Sequence, residues 1–167
     1  MTATAYSAYD VCEVMRLRVL AALVAAGSDL VSTTYTAIGD VPWDDPCGQL
    51  TVAPVRVYRS SIFPQEDADQ ERCEQGEICV ALSVLLIRCE PSLGDTGAVP
   101  TAAAMAAADR KILADAATVW NSVSASFDPL WEWERASVAQ TPLTGEGGAI
   151  GMETTITIGI PYRAWCA

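Results

Sequence analysis

The chain has 167 residues, and 21 acidic against 10 basic side chains give it a net charge of −11. A surface of this charge repels nucleic acid and anionic membranes. Histidine is absent, which excludes Ser-His and Cys-His nucleophile pairs and removes the commonest nitrogen ligand of metals. This length predicts one domain, residues 1–167, with a substantial core. The hydrophobic fraction of 51% excludes wholesale disorder.

The cysteine pattern gives no strong indication of a metal site or a disulfide framework. No segment resembles an export signal, and the apolar run at residues 19–26 is too short to span a membrane. We therefore expect reduced thiols that act mainly as small buried hydrophobes. A disulfide pair stays open as an alternative. A zinc site is disfavoured because no Cys-x2-Cys pair occurs among its candidate ligands, Cys47, Cys73, Cys79 and Cys89.

The first half of the chain predicts one helix and one strand. Apolar residues recur at helical spacing over residues 8–26, with Ser7 suited to cap the start and Gly27 to end the helix. Residues 49–59 alternate as a strand, and Pro54 inside that run predicts an edge strand or a bulge.

The second half predicts a central strand, a helix and two further strands. Residues 77–90 are apolar at both even and odd positions, so this strand should be covered on both faces. Apolar residues at helical spacing predict a helix over residues 101–126, and residues 131–139 and 149–160 are predicted as strands. The fold class is α+β, a mostly antiparallel β-sheet with two helices in the order α-β-β-α-β-β.

An acidic loop is predicted at residues 64–77, between the second and third elements of this order. Its carboxylates indicate either a solvated hairpin tip, which charge patterning favours, or a repulsive rim facing a pore. A calcium site is the third possibility, but the spacing does not match an EF-hand. The acidic residues of the loop are Glu66, Asp67, Asp69, Glu71, Glu74 and Glu77.

Catalytic readings find little support, so we predict no enzyme, no catalytic residue and no cofactor. Asp44 and Asp45 beside Trp43 favour turn chemistry, because adjacent side chains on an extended chain point apart. A hydrolase that pairs Asp44 with Glu132 or Glu134 is kept as a low alternative, as is a small ligand-binding module.

Two other features have structural interpretations. The glycine-rich turn at 145–151 precedes a strand rather than a helix, which disfavours phosphate binding and indicates a tight strand entry. Trp131 and Trp133 fit a core role at least as well as an anchor at an interface. Trp165 lies near the end of the sequence and is our candidate for a contact between subunits.

Five segments together resemble neck proteins of long-tailed actinobacterial phages, in particular the tail terminator family. The resemblance extends over most of the chain, and the segments that carry it are, in chain order, residues 43–50 (WDDPCGQL), 55–60 (VRVYRS), 63–64 (FP), 88–91 (RCEP) and 147–151 (GGAIG). Many members of this family have a cysteine in the final glycine turn, where this chain has Ala149. This departure weakens any requirement for a thiol there.

The resemblance implies a non-enzymatic, ring-forming α+β subunit without a cofactor. Six copies would form a hexameric ring in the virion neck, cap the major tail tube protein and join the tail to the connector of the head. DNA would pass through the lumen without specific binding, and no membrane partner is implied. Glu66, Asp67, Asp69 and Glu71 would then lie at the lumen or the tube contact. The alternative within this class is a head-completion stopper or adaptor between portal and tail.

Overall fold

The computed structural model describes residues 7–29, 32–39, 48–67, 77–91, 99–124, 135–143 and 149–161. These residues form two helices and five strands in the order α-β-β-β-α-β-β. In chain order the elements are α1 (Ala8–Ala25), β1 (Thr33–Thr36), β2 (Gln49–Ser60), β3 (Glu77–Cys89), α2 (Ala102–Ser124), β4 (Arg135–Leu143) and β5 (Ala149–Pro161).

The α+β class and the two helices are confirmed, but the predicted element order is wrong by one strand. The missing strand is β1, which lacks an apolar alternation and is half-buried at all four positions. It pairs with β2 in parallel, whereas the other three strand pairs are antiparallel, so the sheet is mixed but mostly antiparallel, as predicted. The fourth predicted strand, residues 131–139, is described from Arg135 and continues to Leu143, and Trp131 and Trp133 lie outside the described residues.

The sheet has the strand order β1-β2-β3-β5-β4, which places β3 in the middle. All residues from Ile78 to Arg88 are buried, which confirms the prediction of a strand covered on both faces. Pro54 lies at a register shift between β2 and β3, as the bulge reading predicted. The β1 pairing extends only from Gln49 to Val52 of β2. Pro54, which has no N–H to donate, therefore lies beyond the part of β2 that pairs with β1.

The helices cover one face of the sheet. α1 lies over β1 and β2, and α2 lies over β3, β5 and β4. The even-numbered residues of β3 point toward the helices and form the main core with apolar side chains of α1 and α2. The largest fully buried members of this core are Met15, Leu23, Leu50, Leu82, Leu86, Ile156, Ile158 and Ile160.

Polar contacts join α1 to the edge strand β1. The Glu13 carboxylate accepts a hydrogen bond from Thr36 Oγ1 at 2.7 Å and from Arg16 Nε at 2.9 Å. Arg16 Nη1 in turn donates to Thr34 Oγ1 at 3.2 Å. These hydrogen bonds hold β1 against α1 in place of buried apolar side chains. β1 therefore has no apolar periodicity from which the sequence could predict it.

The opposite face of the sheet carries a smaller apolar cluster and more polar contacts. Gln49 Nε2 donates to Tyr35 Oη at 3.0 Å and to Thr51 Oγ1 at 2.8 Å. Ser83 Oγ donates to the Glu153 carboxylate at 2.7 Å. A second apolar cluster lies on this face near the end of β3 and consists of Leu85, Ile87, Ala149 and Leu143.

The predicted ends of α1 are confirmed. Ser7 and Asp10 form a reciprocal capping box at the first turn. At the other end Gly27 has φ of 71°, and Ser28 N donates to Leu23 O at 2.9 Å, which closes the helix.

Substitution of Gly27 by Ala should lower the free energy of unfolding by about 1 kcal/mol, because a Cβ is strained in left-handed backbone. A Cβ at this position meets no atom within 4 Å, so backbone conformation alone should set the effect. Urea unfolding of the purified protein measures it. Gly27→Asn is the control and should cost less, since asparagine tolerates this region better. An equal loss in both variants would contradict the backbone explanation.

Candidate functional site

The first two predicted interaction residues stabilise the turn that follows β2. The Glu66 carboxylate forms an ion pair with Arg56. The Asp67 carboxylate accepts hydrogen bonds from Ser61 N at 2.9 Å and Ser61 Oγ at 2.7 Å, and these bonds lower the pKa of Asp67. Asp67 N donates to Arg59 O at 3.0 Å. Asp69, Glu71 and Trp165 lie outside the described residues, so their interaction roles stay predictions.

This turn is packed against the end of the sheet. Tyr58 Oη donates to Pro64 O at 2.7 Å. A Cβ added to Gly159 would lie 3.1 Å from the Phe63 ring and would overlap the Glu77 carboxylate. The absence of a side chain at Gly159 therefore lets the turn and Glu77 share this position. The pairing of Ser60 with Glu77 confirms that the acidic segment connects two adjacent antiparallel strands, as the hairpin reading predicted.

The base of this hairpin contains two buried oxygen atoms without a hydrogen-bond partner, Ser60 Oγ and Glu77 Oε2. The other oxygen of Glu77, Oε1, lies 3.6 Å from Arg135 Nε. Buried oxygens of this kind commonly bind an ordered water. Both atoms are enclosed, so this pair offers no accessible surface to a larger ligand.

A buried ion network lies at the opposite end of the sheet and is centred on Arg88. Arg88 Nε donates to Asp115 Oδ2 at 2.6 Å, and Arg88 Nη1 donates to Asp29 Oδ1 at 2.8 Å. Arg88 Nη2 donates to Ser28 Oγ at 3.2 Å, and Lys111 Nζ donates to Asp29 Oδ2 at 2.8 Å. The network thus connects β3, α2 and the segment after α1.

The Arg88 network is balanced in charge, with two cations against two carboxylates. Arg88 and Asp115 are 8% and 5% exposed, so each requires the other in the protein interior. Asp29 is more exposed, and hydrogen bonds from Lys111 and Arg88 lower its pKa to about 2. Since every charged group here is paired, the arrangement supplies structural connection rather than an activated acid or base.

Two clefts border this network. One has a volume of about 510 Å³ and lies between the end of β3 and the first turns of α2, lined by Arg88, Cys89, Glu90, Ala104, Ala107 and Lys111. The other, of about 280 Å³, lies between α1 and α2 beside Asp29 and Asp115. No residue from 102 to 111 is fully buried.

Sequence reasoning treated Arg88 only as part of a family motif and missed its network. Its partners are 27 and 59 residues away, a separation that local spacing does not reveal. One signal was present in the sequence: Arg88 continues the even-numbered, core-facing series of a strand predicted to be buried. An arginine in that position requires a carboxylate partner.

The described cysteines exclude the zinc hypothesis, and they match the expected buried thiols at two of three positions. Cys12 and Cys79 are free and buried, and burial raises the pKa of their thiols to about 12 and about 11. Cys89 is instead disulfide-bonded. Cys79 and Cys89 lie ten residues apart on β3, about 33 Å at the usual strand rise, so they cannot bind one metal.

Other site hypotheses receive no support from the part of the chain that the structure describes. No group of three or more potential metal ligands occurs there, and no helix there is long and apolar enough to cross a membrane. The hydrolase residues Asp44, Glu132 and Glu134 lie outside the described ranges.

Six of the ten exposed large apolar side chains of the described residues lie toward the two edges of the sheet. Tyr9, Ile38, Val55 and Val57 lie around the part of β2 beyond its pairing with β1, and we call them the β2 surface. Leu113 and Trp120 lie on α2, which contacts β4 through a 2.7 Å hydrogen bond from Gln140 Nε2 to Ala116 O. With the outer side of β4 they form the β4 surface.

The sequence matches no known protein-family model, and no curated protein is significantly similar to it.

Substitution of Asp115 by Ala should lower the free energy of unfolding by about 3 kcal/mol or more, because it leaves the buried Arg88 charge without its main partner. Urea unfolding at neutral pH measures the change. Lys111→Ala, which removes an exposed ion pair with Asp29, is the control and should cost under about 1 kcal/mol. The double variant Arg88→Met, Asp115→Leu should recover most of the loss. A loss in Asp115→Ala no larger than in the control would contradict this role.

The depressed pKa of Asp29 predicts a specific pH dependence. Its contribution is present above the unfolded pKa of about 3.8 and is lost as pH falls through the folded pKa of about 2. The stability difference between the parent and Asp29→Asn should therefore be largest near pH 5 to 7 and shrink between about pH 4 and 2. Unfolding curves over this range measure it. Ser28→Ala, which removes a non-titrating member of the network, should show a difference that does not change with pH in this way.

Proposed function

We propose that this protein is a tail terminator in the neck of a long-tailed phage, a structural virion protein rather than an enzyme. The observation that carries the proposal is the placement of exposed apolar side chains at both outer edges of one sheet. A subunit that assembles with copies of itself requires such surfaces. The ordered sequence resemblance to neck proteins supplies the specific role.

The segments of that resemblance occupy structurally distinct positions in the described residues. Residues 55–60 form the part of β2 that β1 does not cover, and residues 63–64 belong to the turn packed on Gly159. Residues 88–91 contain the buried Arg88 and line the larger cleft. Ala149 and Gly151 begin β5, where a Cβ on Gly151 would lie 3.2 Å from Leu86 O. The fold itself therefore explains residues 88–91 and the start of β5. Residues 55–60 are available for contacts with a partner.

The proposed mechanism is binding without chemistry. One face of a ring of subunits would contact the last ring of tail tube protein, and the other face would not accept further tube subunits. The second face would contact the head connector instead. The acidic segment 64–77 would lie near the lumen or the tube contact, where carboxylates reduce adhesion of the passing duplex.

Deletion of the gene from the phage tests this role. The expected result is filled heads together with detached tails of abnormal length, because tube polymerisation is no longer stopped. Electron microscopy of lysates measures tail length and attachment. Supplying the intact gene in trans is the control and should restore normal virions.

Two other outcomes would contradict the terminator role. Detached tails of normal length with heads that lose their DNA would assign the protein to the stopper or adaptor position. Normal virions and unchanged plaque numbers would remove it from the neck altogether.

A further inference from the structure

We infer that Cys89 forms its disulfide with Cys47, and that this bond is a redox-sensitive crosslink between the end of β3 and the chain that leads into β2. The inference goes beyond the proposed function and does not depend on it. Cys89 is disulfide-bonded and is the exposed last residue of β3. Cys47 lies outside the described residues, but its neighbours Gly48 and Gln49 are described and fix the point to which it is attached.

Two of the other five cysteines are excluded as partners by their state. Cys12 and Cys79 are free and buried. Burial raises the pKa of these thiols to about 12 and about 11, so they stay protonated and unreactive at neutral pH. The remaining candidates are Cys47, Cys73 and Cys166.

Two of these candidates are attached near the opposite end of β3. Cys73 precedes Glu77 by four positions, so its Cα lies within about 15 Å of Glu77. Cys166 follows Pro161 by five positions, and Pro161 pairs with Glu77, which keeps Cys166 within about 24 Å of Glu77. Cys89 lies twelve residues from Glu77, about 40 Å at the usual strand rise. Neither candidate can come within the roughly 7 Å between Cα atoms that a disulfide spans.

The register of β2 and β3 brings position 47 opposite Cys89. Gln49 pairs with Ile87 in an antiparallel ladder, and Cys89 lies two residues beyond Ile87. Continuing the ladder from Gln49 by two residues in the other direction reaches Cys47. Residues directly opposite in such a ladder have Cα atoms about 4.5 to 5.5 Å apart and side chains on the same face. That separation lies within the roughly 4.4–6.8 Å that disulfides require.

Gly48 keeps the chain before β2 in the plane of the sheet. It is buried, and its carbonyl oxygen accepts hydrogen bonds from Ser32 N at 2.9 Å and Thr33 N at 3.0 Å. The Cα of Cys47 is about 3.8 Å from that of Gly48, as in any trans peptide. A fixed Gly48 therefore leaves Cys47 close to the position that the ladder gives it.

The crosslink would supplement the Arg88 network. Arg88 attaches the segment after α1 to the end of β3 through Ser28 and Asp29. Gly48 attaches the same segment, at Thr33, to the start of β2. A bond from Cys47 to Cys89 would connect these two attachment points directly. Its opening should therefore loosen β1 and the start of β2, and leave the main core intact.

Opening the crosslink is a two-electron reduction. A dithiol such as dithiothreitol gives two electrons and two protons to the two sulfur atoms and becomes a cyclic disulfide. A small-molecule disulfide such as glutathione disulfide reverses the step, and it is itself reduced to two thiols. Because Cys89 is exposed, such reagents can reach this end of β3, whereas the buried Cys12 and Cys79 are protected.

Peptide mapping of the purified protein tests the partner. Free thiols are blocked with N-ethylmaleimide under mildly acidic denaturing conditions after incubation with glutathione disulfide, and the protein is then digested. Mass spectrometry should find one peptide pair that joins Cys47 to Cys89 and disappears on reduction. Cys47→Ser and Cys89→Ser should each abolish the pair, whereas Cys73→Ser and Cys166→Ser are matched controls that should keep it. A different partner for Cys89, or a blocked free thiol at Cys89, would overturn the inference.

Thermal unfolding with and without dithiothreitol tests the crosslink in the intact parent, so it holds even where a variant fails to fold. Reduction should lower the Tm by roughly 5–15 °C, because the bond closes a loop of about 40 residues in the unfolded chain. Cys89→Ser should show the lower Tm under both conditions, and Cys73→Ser should respond like the parent.

Amide hydrogen exchange locates the effect. After reduction, Thr33 to Thr36 and Gly48 to Val52 should exchange at least several-fold faster, while the middle of β3 should not change. A Tm that does not respond to reduction, or faster exchange spread evenly over the sheet, would contradict a crosslink that acts at this end of β2.

Discussion

The burial of β3 on both faces is the constraint on which the rest of the structure depends. Its even-numbered residues pack against the helical layer, and its odd-numbered residues are buried on the other face among polar side chains and a small apolar cluster. Antiparallel β2 and β5 satisfy its backbone on both sides. Because a strand of this kind cannot lie at an edge, the outer positions go to β1 and β4, which have fewer apolar residues.

The same constraint explains the Arg88 network. Arg88 continues the core-facing side of β3 to the point where the apolar layer ends, so its guanidinium enters the interior before it can reach solvent. Asp115 from α2 and Asp29 after α1 neutralise it there. A pair buried to this degree contributes little net stability compared with apolar packing, but loss of either partner is costly. The network therefore fixes how both helices are placed on the sheet.

The candidate surfaces arise from the parts of this architecture that the core does not use. α1 and β1 leave the later half of β2 uncovered, and α2 presents Leu113 and Trp120 beyond the core. These positions have no local requirement for apolar side chains, since each is partly in water. The proposed role in assembly would give these side chains a contact that removes them from water.

By itself, the sequence determined the elements whose patterns are local. Helical spacing and the Ser7 and Gly27 signals located α1, and apolar residues of both parities located β3 and its central position. Only the tertiary structure decided the contacts between distant residues. β1 depends on bonds from α1, Arg88 on partners up to 59 residues away, and the two surfaces on which side chains the helices leave exposed. The physical reason is that periodicity records which side of an element is buried, whereas partner choice depends on how the elements pack.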